Sequence, residues 1–156
     1  MRRFKVSEPQ LTFDPDDPEG FRSGMARLGP QAGAEHTGAS VYELPPGQAV
    51  CPYHYEYGEE EWALVLAGRP SVRTPEGIEQ LEPLEMVFFP TGPAGAHQIR
   101  NDTDSTVRIL MWSTVVYPTG TAYPDSDKIG IWTGDKAEDA MVVRSTKVDY
   151  YHGEAS

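Results

Sequence analysis

The sequence predicts an all-β domain in the form of a closed barrel or a jelly roll. Its 156 residues include 15 glycines and 14 prolines, which are scattered through the chain rather than clustered in one tract. Short apolar alternations separate them, and no segment longer than a turn or two carries a 3.6-residue period. The length corresponds to one domain that can bury a core. About eight short strands at regular turn spacing are typical of a barrel or a jelly roll.

Turn residues mark the ends of the predicted barrel strands. A Pro-Pro-Gly stretch at 45–47 ends the first strand, and Gly68 ends the third. The polar turns at 75–77 and 102–104 are typical of hairpins. The predicted strands span residues 40–44, 53–57, 61–66, 71–74, 78–81, 86–89, 96–101 and 107–113.

The two ends of the chain differ from this central part. Residues 1–35 are rich in Asp, Pro and Gly, and they predict an N-terminal arm that wraps over the barrel or is partly disordered. Residues 36–116 are predicted to form the barrel. Residues 117–156 predict a C-terminal extension, with short strands at 129–132 and 141–143, packed on the barrel or on a dimer partner. Because the strands and the extension offer more apolar surface than one small barrel needs, we expect a homodimer.

Charge and cysteine content narrow the function classes. The formal net charge is -11, with 24 acidic and 13 basic residues, so phosphate backbones would be repelled and no nucleic-acid partner is expected. Cys51 is the only cysteine, which excludes an internal disulfide and favours a cytoplasmic location. The opening residues MRRFKVSEPQ lack the apolar stretch of a secretory signal, and no apolar run reaches membrane-spanning length. We therefore expect no membrane association.

Four potential metal ligands lie on three of the predicted strands. Residues two apart on a strand point the same way, so His54 and Glu56 share one face. A turn at 57–58 lets the next strand return alongside and bring Glu61 to that face, and His97 follows after a Pro- and Gly-rich loop. Two imidazoles with one or two carboxylates form an ordinary ligand set for a divalent ion. The pattern predicts a metal site in the barrel mouth, with ligands His54, Glu56, Glu61 and His97.

Two assignments stay open within this set. Glu59 and Glu60 directly precede Glu61, and a slip of one residue would exchange which carboxylate faces inward. Glu56 either coordinates the ion or, turned away from it, serves as a general base beside it.

The stretch 47–101 resembles the two motif segments of the cupin superfamily. The first family segment contains Gly, His-x-His, Glu and a closing Gly, and the second contains Pro-x-Gly, His and Asn. The matching residues of this chain are Gly47, His54, Glu61, Gly68, Pro90, Gly92, His97 and Asn101. The spacing from Gly47 to His54 is one residue longer than the family pattern, and the gap after Gly92 is also longer than usual.

The overall pattern is similar to that of single-domain bacterial cupins of the mannose-6-phosphate-isomerase-like group, and the segment YPDSDKIGIW after the barrel also resembles that group. The resemblance implies a cupin-type double-stranded β-helix, that is, a jelly-roll barrel with an N-terminal arm and a C-terminal extension. It also implies isomerase, dioxygenase, decarboxylase or lyase chemistry on a small polar molecule.

Two residues depart from the family pattern. Glu56 stands where the family usually has its second His, and Leu84 stands where a Gly often opens the second segment. A carboxylate in place of an imidazole makes the site harder and more anionic, which favours manganese, iron or another hard divalent ion over copper. We expect one divalent ion, either Mn, Fe, Ni or Zn.

Two functions are compatible with this pattern. The first is a small metalloenzyme that acts on a small polar molecule, with Glu56 as a possible general base. The alternative is a non-catalytic cupin that binds a sugar or an organic acid, since barrels of this kind support many unrelated functions. A purely structural role would require Glu56 and Glu61 to point to solvent. The sequence contains no Gly-rich phosphate loop, nucleophile elbow, Cys-x-x-Cys pair or dinucleotide fingerprint.

Overall fold

The structure, a computed structural model, describes residues 1–154, and most of its ordered elements are strands. One short helix, α1, spans Leu28–Ala32, and single 3₁₀ turns occur at Pro93–Gly95, Pro124–Ser126 and Arg144–Thr146. The strands are β1 Thr12–Phe13, β2 Gly24–Arg27, β3 Thr37–Leu44, β4 Tyr55–Glu56, β5 Glu61–Ala67, β6 Ser71–Thr74, β7 Gly77–Gln80, β8 Met86–Phe89, β9 Gln98–Arg100, β10 Val107–Thr114, β11 Thr119–Tyr123, β12 Lys128–Trp132 and β13 Ala140–Val143. The predicted all-β class is confirmed.

The strands form three antiparallel sheets. The largest has the order β1-β2-β3-β10-β5-β8, and a smaller sheet has the order β7-β6-β9. The third sheet, β13-β12-β11-β4, joins the C-terminal strands to the short strand that follows His54. In the largest sheet β1, β2 and β3 are consecutive, whereas β10, β5 and β8 are neighbours that are distant in sequence, which is typical of a jelly roll.

The core lies on the inner face of the largest sheet. Along β10 the buried residues Val107, Ile109 and Met111 alternate with partly exposed ones, which is the period of two expected for a half-buried strand. They pack against inward residues of neighbouring strands, such as Leu44 and Val65, both fully buried. Burying one side chain of this size contributes about 1.5–3 kcal/mol, so this layer provides much of the stability of the barrel.

Asn101 organises the turn that follows β9. Its side chain is fully buried, and its amide nitrogen donates hydrogen bonds to the carbonyl oxygens of Leu44 and Ser105, each at 2.8 Å. Its amide oxygen accepts from the backbone nitrogen of Thr103 at 3.0 Å. One side chain thus satisfies backbone groups from two segments, which gives the motif asparagine a structural role.

The two ends of the chain contribute strands that the sequence did not predict. Strand β2 pairs with β3 and extends the largest sheet, and β11 lies between β4 and β12. The Nη1 atom of Arg108 donates a hydrogen bond to the carbonyl of Ser7 at 3.0 Å, which places the first residues against β10. The division into arm, barrel and extension remains a prediction.

None of the helices within residues 1–154 has the length and apolar character needed to span a membrane.

Leu84 occupies a backbone conformation that suits glycine. Its φ angle is 69°, and the backbone nitrogen of Glu85 donates to the carbonyl of Glu82 at 3.1 Å across the turn. Pro83 precedes Leu84, so the segment has the sequence and geometry of a type II turn, whose third residue prefers glycine. The Leu84 side chain is 76% exposed. Leu84 therefore adopts the left-handed backbone conformation that glycine favours, at a position where the related motif often has a glycine.

We predict that Leu84→Gly stabilises the protein by about 0.5–1 kcal/mol in urea unfolding, because it removes the left-handed strain of a residue with a Cβ and loses little burial. Leu84→Ala is the matched control, since alanine keeps the Cβ, and we expect no gain from it. Equal gains from both variants, or a loss with glycine, would contradict this explanation.

Candidate metal centre

The backbones of His54 and His97 form a single antiparallel bridge. The nitrogen of His54 donates to the carbonyl of His97 at 3.1 Å, and the reciprocal hydrogen bond is 2.8 Å. Directly opposed residues project to the same face, and the two imidazole centroids are 4.7 Å apart. One backbone contact thus places two residues that are distant in sequence side by side.

The hydrogen bonds of the two rings orient the same nitrogen toward the site. Nδ1 of His97 lies 2.9 Å from the carbonyl oxygen of Gly95, and Nδ1 of His54 lies 3.0 Å from that of Pro52. A carbonyl oxygen only accepts, so each Nδ1 carries a proton and donates it. Nε2 is therefore the atom of each ring that remains to bind a proton or a metal ion.

Glu61 brings a carboxylate to the two Nε2 atoms. It begins β5 and pairs with Phe89 on β8 and with Ser113 on β10, on the inner face of the sheet. Its Oε2 atom lies 3.5 Å from Nε2 of His54 and 3.6 Å from Nε2 of His97. One ligand atom from each of these three residues lies within 4.8 Å of the others, a grouping that could hold a metal ion.

The neighbouring carboxylates are placed elsewhere. Oε1 of Glu59 accepts a hydrogen bond from the backbone nitrogen of Val116 at 3.0 Å. Glu60 is exposed, and its backbone nitrogen donates to the hydroxyl of Thr114 at 3.0 Å. The register of β5 thus turns Glu61, and neither of the two residues before it, toward the histidines.

Burial makes the His97 ring a strong candidate ligand. Its side chain is 1% exposed, and the Phe89 ring stacks on it with centroids 3.6 Å apart and planes at 5°. Among residues 1–154, its Nε2 atom has no hydrogen-bond partner. A buried polar atom without a partner is costly, and a metal ion bound between the three side chains would satisfy it.

Burial and charge set the protonation of the three groups. Burial lowers the pKa of His54, but the charges and hydrogen bonds of Cys51 and Glu61 outweigh it and raise that pKa to about 11. Burial and the charge of His54 lower the pKa of His97 to about 4. Burial opposes ionisation of Glu61, but its hydrogen bond with His54 and the charges of both imidazoles lower its pKa. A divalent cation would take the place of the proton on His54.

Glu56 lies beside this group but is held by other residues. Its Oε1 atom is 3.7 Å from Nε2 of His54, whereas both carboxylate oxygens approach the Thr121 hydroxyl, at 2.9 and 2.7 Å. The indole Nε1 of Trp132 donates to the same hydroxyl oxygen at 2.7 Å. Because the indole only donates, the Thr121 hydroxyl directs its own proton at Glu56.

The surroundings of Glu56 make its carboxyl group a weaker acid than an exposed one. Burial and the charge of Glu61 raise its pKa to about 7, against the opposing effects of the Thr121 hydrogen bond and the His54 charge. A carboxyl group with a pKa near neutrality accepts and returns protons efficiently.

The C-terminal extension supplies site residues that the sequence did not reveal. Thr121 pairs directly with Glu56 in the β4–β11 ladder, so both side chains lie on one face. Two residues further on, Tyr123 stacks on the His54 ring with centroids 6.0 Å apart. Thr, Gly and Pro residues around this strand indicated turns, and only its pairing with β4 identifies its role.

A cavity of about 260 Å³ opens beside two of the three candidate ligands, His54 and Glu61. His54, Glu61 and Cys51 line one side of it, and Tyr42 and Ser113 line the β3–β10 wall. The Sγ atom of Cys51 lies 3.4 Å from Nδ1 of His54. The site thus combines a possible metal position with space for a small molecule.

Comparisons with known proteins agree with this geometry. Residues 40–113 match the family model of the cupin domain. A search of curated proteins finds no match.

Several solved structures share the fold. A sugar phosphate isomerase of the cupin superfamily from Silicibacter pomeroyi superposes with a TM-score of 0.80 and 20% identity, over 96% of this chain and 98% of that one. A candidate sugar phosphate isomerase from Acidithiobacillus ferrooxidans superposes with a TM-score of 0.78 and 23% identity, over 91% of this chain and 88% of that one. The polyketide cyclase RemF from Streptomyces resistomycificus superposes with a TM-score of 0.60 and 21% identity, over 73% of this chain and 79% of that one. At these identities the similarity establishes the fold alone.

The hydrogen bond from Thr121 predicts how Glu56 responds to substitution. Thr121→Val removes the hydroxyl that holds the carboxylate, so we expect Glu56 to turn toward a bound ion and to tighten Mn²⁺ binding about tenfold. Isothermal titration calorimetry with Mn²⁺ measures this change in affinity.

Two control variants accompany that titration. Thr121→Ser keeps the hydroxyl and should retain the wild-type affinity, and adding Glu56→Gln to Thr121→Val should abolish the gain. Unchanged or weaker binding in Thr121→Val would show that this hydrogen bond does not determine the position of Glu56.

Proposed function

We propose that this protein, whose residues 40–113 match the family model of the cupin domain, is a small metalloenzyme in which His54, Glu61 and His97 bind one divalent metal ion. The observation that carries the proposal is the buried, unpartnered Nε2 atom of His97, which converges with Nε2 of His54 and the Glu61 carboxylate. Imidazole nitrogens and a carboxylate oxygen suit Mn, Fe, Ni or Zn.

Glu56 takes the role of general base in this proposal. Its side chain lies within reach of the metal position, but its hydrogen bond to Thr121 holds it to one side. A bound divalent ion would supply Lewis-acid or redox character at the centre. Glu56 would then remove a proton from a substrate and return it, while Thr121 and Trp132 keep the carboxylate in place.

The substrate class in this proposal is a small oxygenated molecule. The cavity of about 260 Å³ admits a small molecule beside the metal position, and hydroxyl groups contribute to its wall. Two structures with the same fold are described as isomerases of sugar phosphates, a reaction class in which a base moves a proton. Isomerase chemistry would use Glu56 as the base, from its place beside His54 at 3.7 Å, and dioxygenase or lyase chemistry would use the same set of groups.

We predict that protein purified without chelators contains near one equivalent of Mn, Fe, Ni or Zn by elemental mass spectrometry. His97→Ala and Glu61→Gln should lose the metal because each removes a ligand, whereas Glu56→Gln should retain it. Circular dichroism verifies that each variant is folded. Absence of metal from the wild type, with none taken up on titration, would contradict the proposed ligand set.

The same variants separate an enzyme from a binding protein. The wild type is incubated with aldoses, ketoses, their phosphates and small hydroxy acids, and products are followed by NMR. Turnover that is lost in Glu56→Gln while metal is retained supports the enzyme. Binding without turnover by metal-loaded protein would favour a non-catalytic cupin that binds a sugar or an organic acid.

We also propose a homodimer, formed through the outer face of the largest sheet. Trp62 and Trp112 stack there with centroids 6.0 Å apart, and Phe88 packs on Trp62 at 4.6 Å. Phe88 and Met86 on the edge strand β8 are 41% and 54% exposed. A contiguous exposed patch of this kind is typical of a protein interface.

A cytoplasmic location remains a prediction from the lone cysteine.

Light scattering of the wild type is expected to give twice the chain mass of 17.3 kDa. Phe88→Glu places a charge in the proposed interface, so this variant should shift toward the monomer. Ile78→Glu is a matched control, because Ile78 is also exposed but lies on β7 in another sheet. A monomeric wild type would refute the dimer.

A further inference from the structure

A second cavity, of about 410 Å³, lies next to the cavity at the metal centre. Four residues of β3, Gly38, Ala39, Ser40 and Tyr42, line both of them. The second cavity also reaches Met25 and Arg27 on β2. The two cavities therefore adjoin along β3. We call them together the cleft, with His54 and Glu61 at one end and Arg27 on β2 at the other.

The register of the sheet turns Arg27 toward this cleft. Arg27 pairs directly with Ser40, and Ser40 pairs with Met111 on β10. Directly paired residues lie on the same face, and Met111 belongs to the buried inner face. Ala26, between Met25 and Arg27, points the other way and lines a different cavity with Phe4. The Arg27 side chain is thus on the same face of the sheet as Glu61.

The distance along the cleft suits a short molecule. Strands β5 and β2 are separated by β10 and β3, so three strand spacings, about 14 Å, lie between Glu61 and Arg27 in the hydrogen-bonding direction. Gly38 lies between them and presents no side chain that would block the cleft.

Arg27 is a positive charge without a partner in a strongly acidic protein. Within residues 1–154, its guanidinium makes no ion pair, and its side chain makes no hydrogen bond, although the net charge is -11 and Glu35 lines the same cavity. Tyr42 lines both cavities of the cleft. Burial raises its pKa to about 12, and the charges of Arg27 and Glu61 act on it in opposite directions.

We propose that Arg27 is the anion-binding end of the substrate site and takes a phosphate or carboxylate group whose carbon chain reaches the metal centre. This inference rests on the proposed metal function and names the substrate class, a short oxygenated chain with one anionic end. A guanidinium binds the oxygens of either group through paired hydrogen bonds, and the polar wall at Ser40 and Tyr42 contacts the chain between.

Two matched pairs of probes test the subsite on Mn²⁺-loaded protein. Glycerate and 3-phosphoglycerate share a hydroxy-acid end and differ by a phosphate, and lactate and malate differ by a carboxylate. In calorimetric titrations of the wild type we expect the longer anion of at least one pair to bind about tenfold more tightly than its partner. The pair that shows this difference identifies the anionic group.

Arg27→Ala should abolish the difference between the members of that pair, and Arg27→Lys should retain part of it. Lys136→Ala is the matched control, because Lys136 lines a separate cavity next to Glu56, and it should leave the difference unchanged. No difference in the wild type for either pair, or a difference that persists in Arg27→Ala, would overturn the proposal. The proposal would also be overturned if Lys136→Ala, and not Arg27→Ala, abolished the difference in affinity between the two probes.

A second titration separates this inference from the metal proposal. Metal-free wild type and Arg27→Ala are each titrated with inorganic phosphate and followed by ³¹P NMR, with Mn²⁺ affinity measured in parallel. We expect weaker phosphate binding in Arg27→Ala and equal Mn²⁺ affinity in both proteins. If neither protein binds Mn²⁺, the proposed function fails while the phosphate result still decides the subsite. Equal phosphate binding by both proteins would overturn the subsite.

Discussion

The bridge between His54 and His97 is the constraint on which the rest of the site depends. It places two buried imidazoles side by side, and the carbonyls of Pro52 and Gly95 fix both rings so that the Nε2 atoms converge. The fold then adds Glu61 from β5 and places Phe89 against the His97 ring. Desolvation of a polar atom without a partner is costly, and a cation held by the three side chains, as we propose, would remove that cost.

The C-terminal strands complete this centre. Strand β11 lies next to β4, and through that pairing Thr121 and Trp132 control the carboxylate of Glu56. A paired hydrogen bond from Arg73 to Asp125, at 2.5 and 2.9 Å, joins the barrel sheet to the turn that follows β11. The Arg73 guanidinium also lies 3.9 Å above the Tyr53 ring. Such exposed pairs contribute little to stability, so we interpret this contact as positioning the extension against the barrel.

Much of the fold could be predicted from the sequence, because apolar and polar residues alternate along the barrel strands and the strands end at glycine or proline. The predicted strands at 71–74 and 86–89 coincide with β6 and β8, and the positive φ of Leu84 occurs where the family motif often has glycine. Strands β2 and β11 were missed because their short sequences, GMAR and TGTAY, show no clear alternation of apolar and polar residues. Their formation depends on pairing with neighbouring strands. The Thr121 partner of Glu56 could not be predicted for the same reason, since a register between distant strands leaves no local pattern.

The most direct test of the account is a crystal structure of metal-loaded protein, with anomalous diffraction measured at the absorption edge of the bound metal. The account predicts one anomalous peak at about 2.0–2.2 Å from Nε2 of His54, Nε2 of His97 and a carboxylate oxygen of Glu61. Glu56 should remain hydrogen-bonded to Thr121 and outside coordination distance. Absence of a peak between the two histidines would contradict the metal centre, and a Glu56 oxygen bonded to the ion would contradict its role as a separate base.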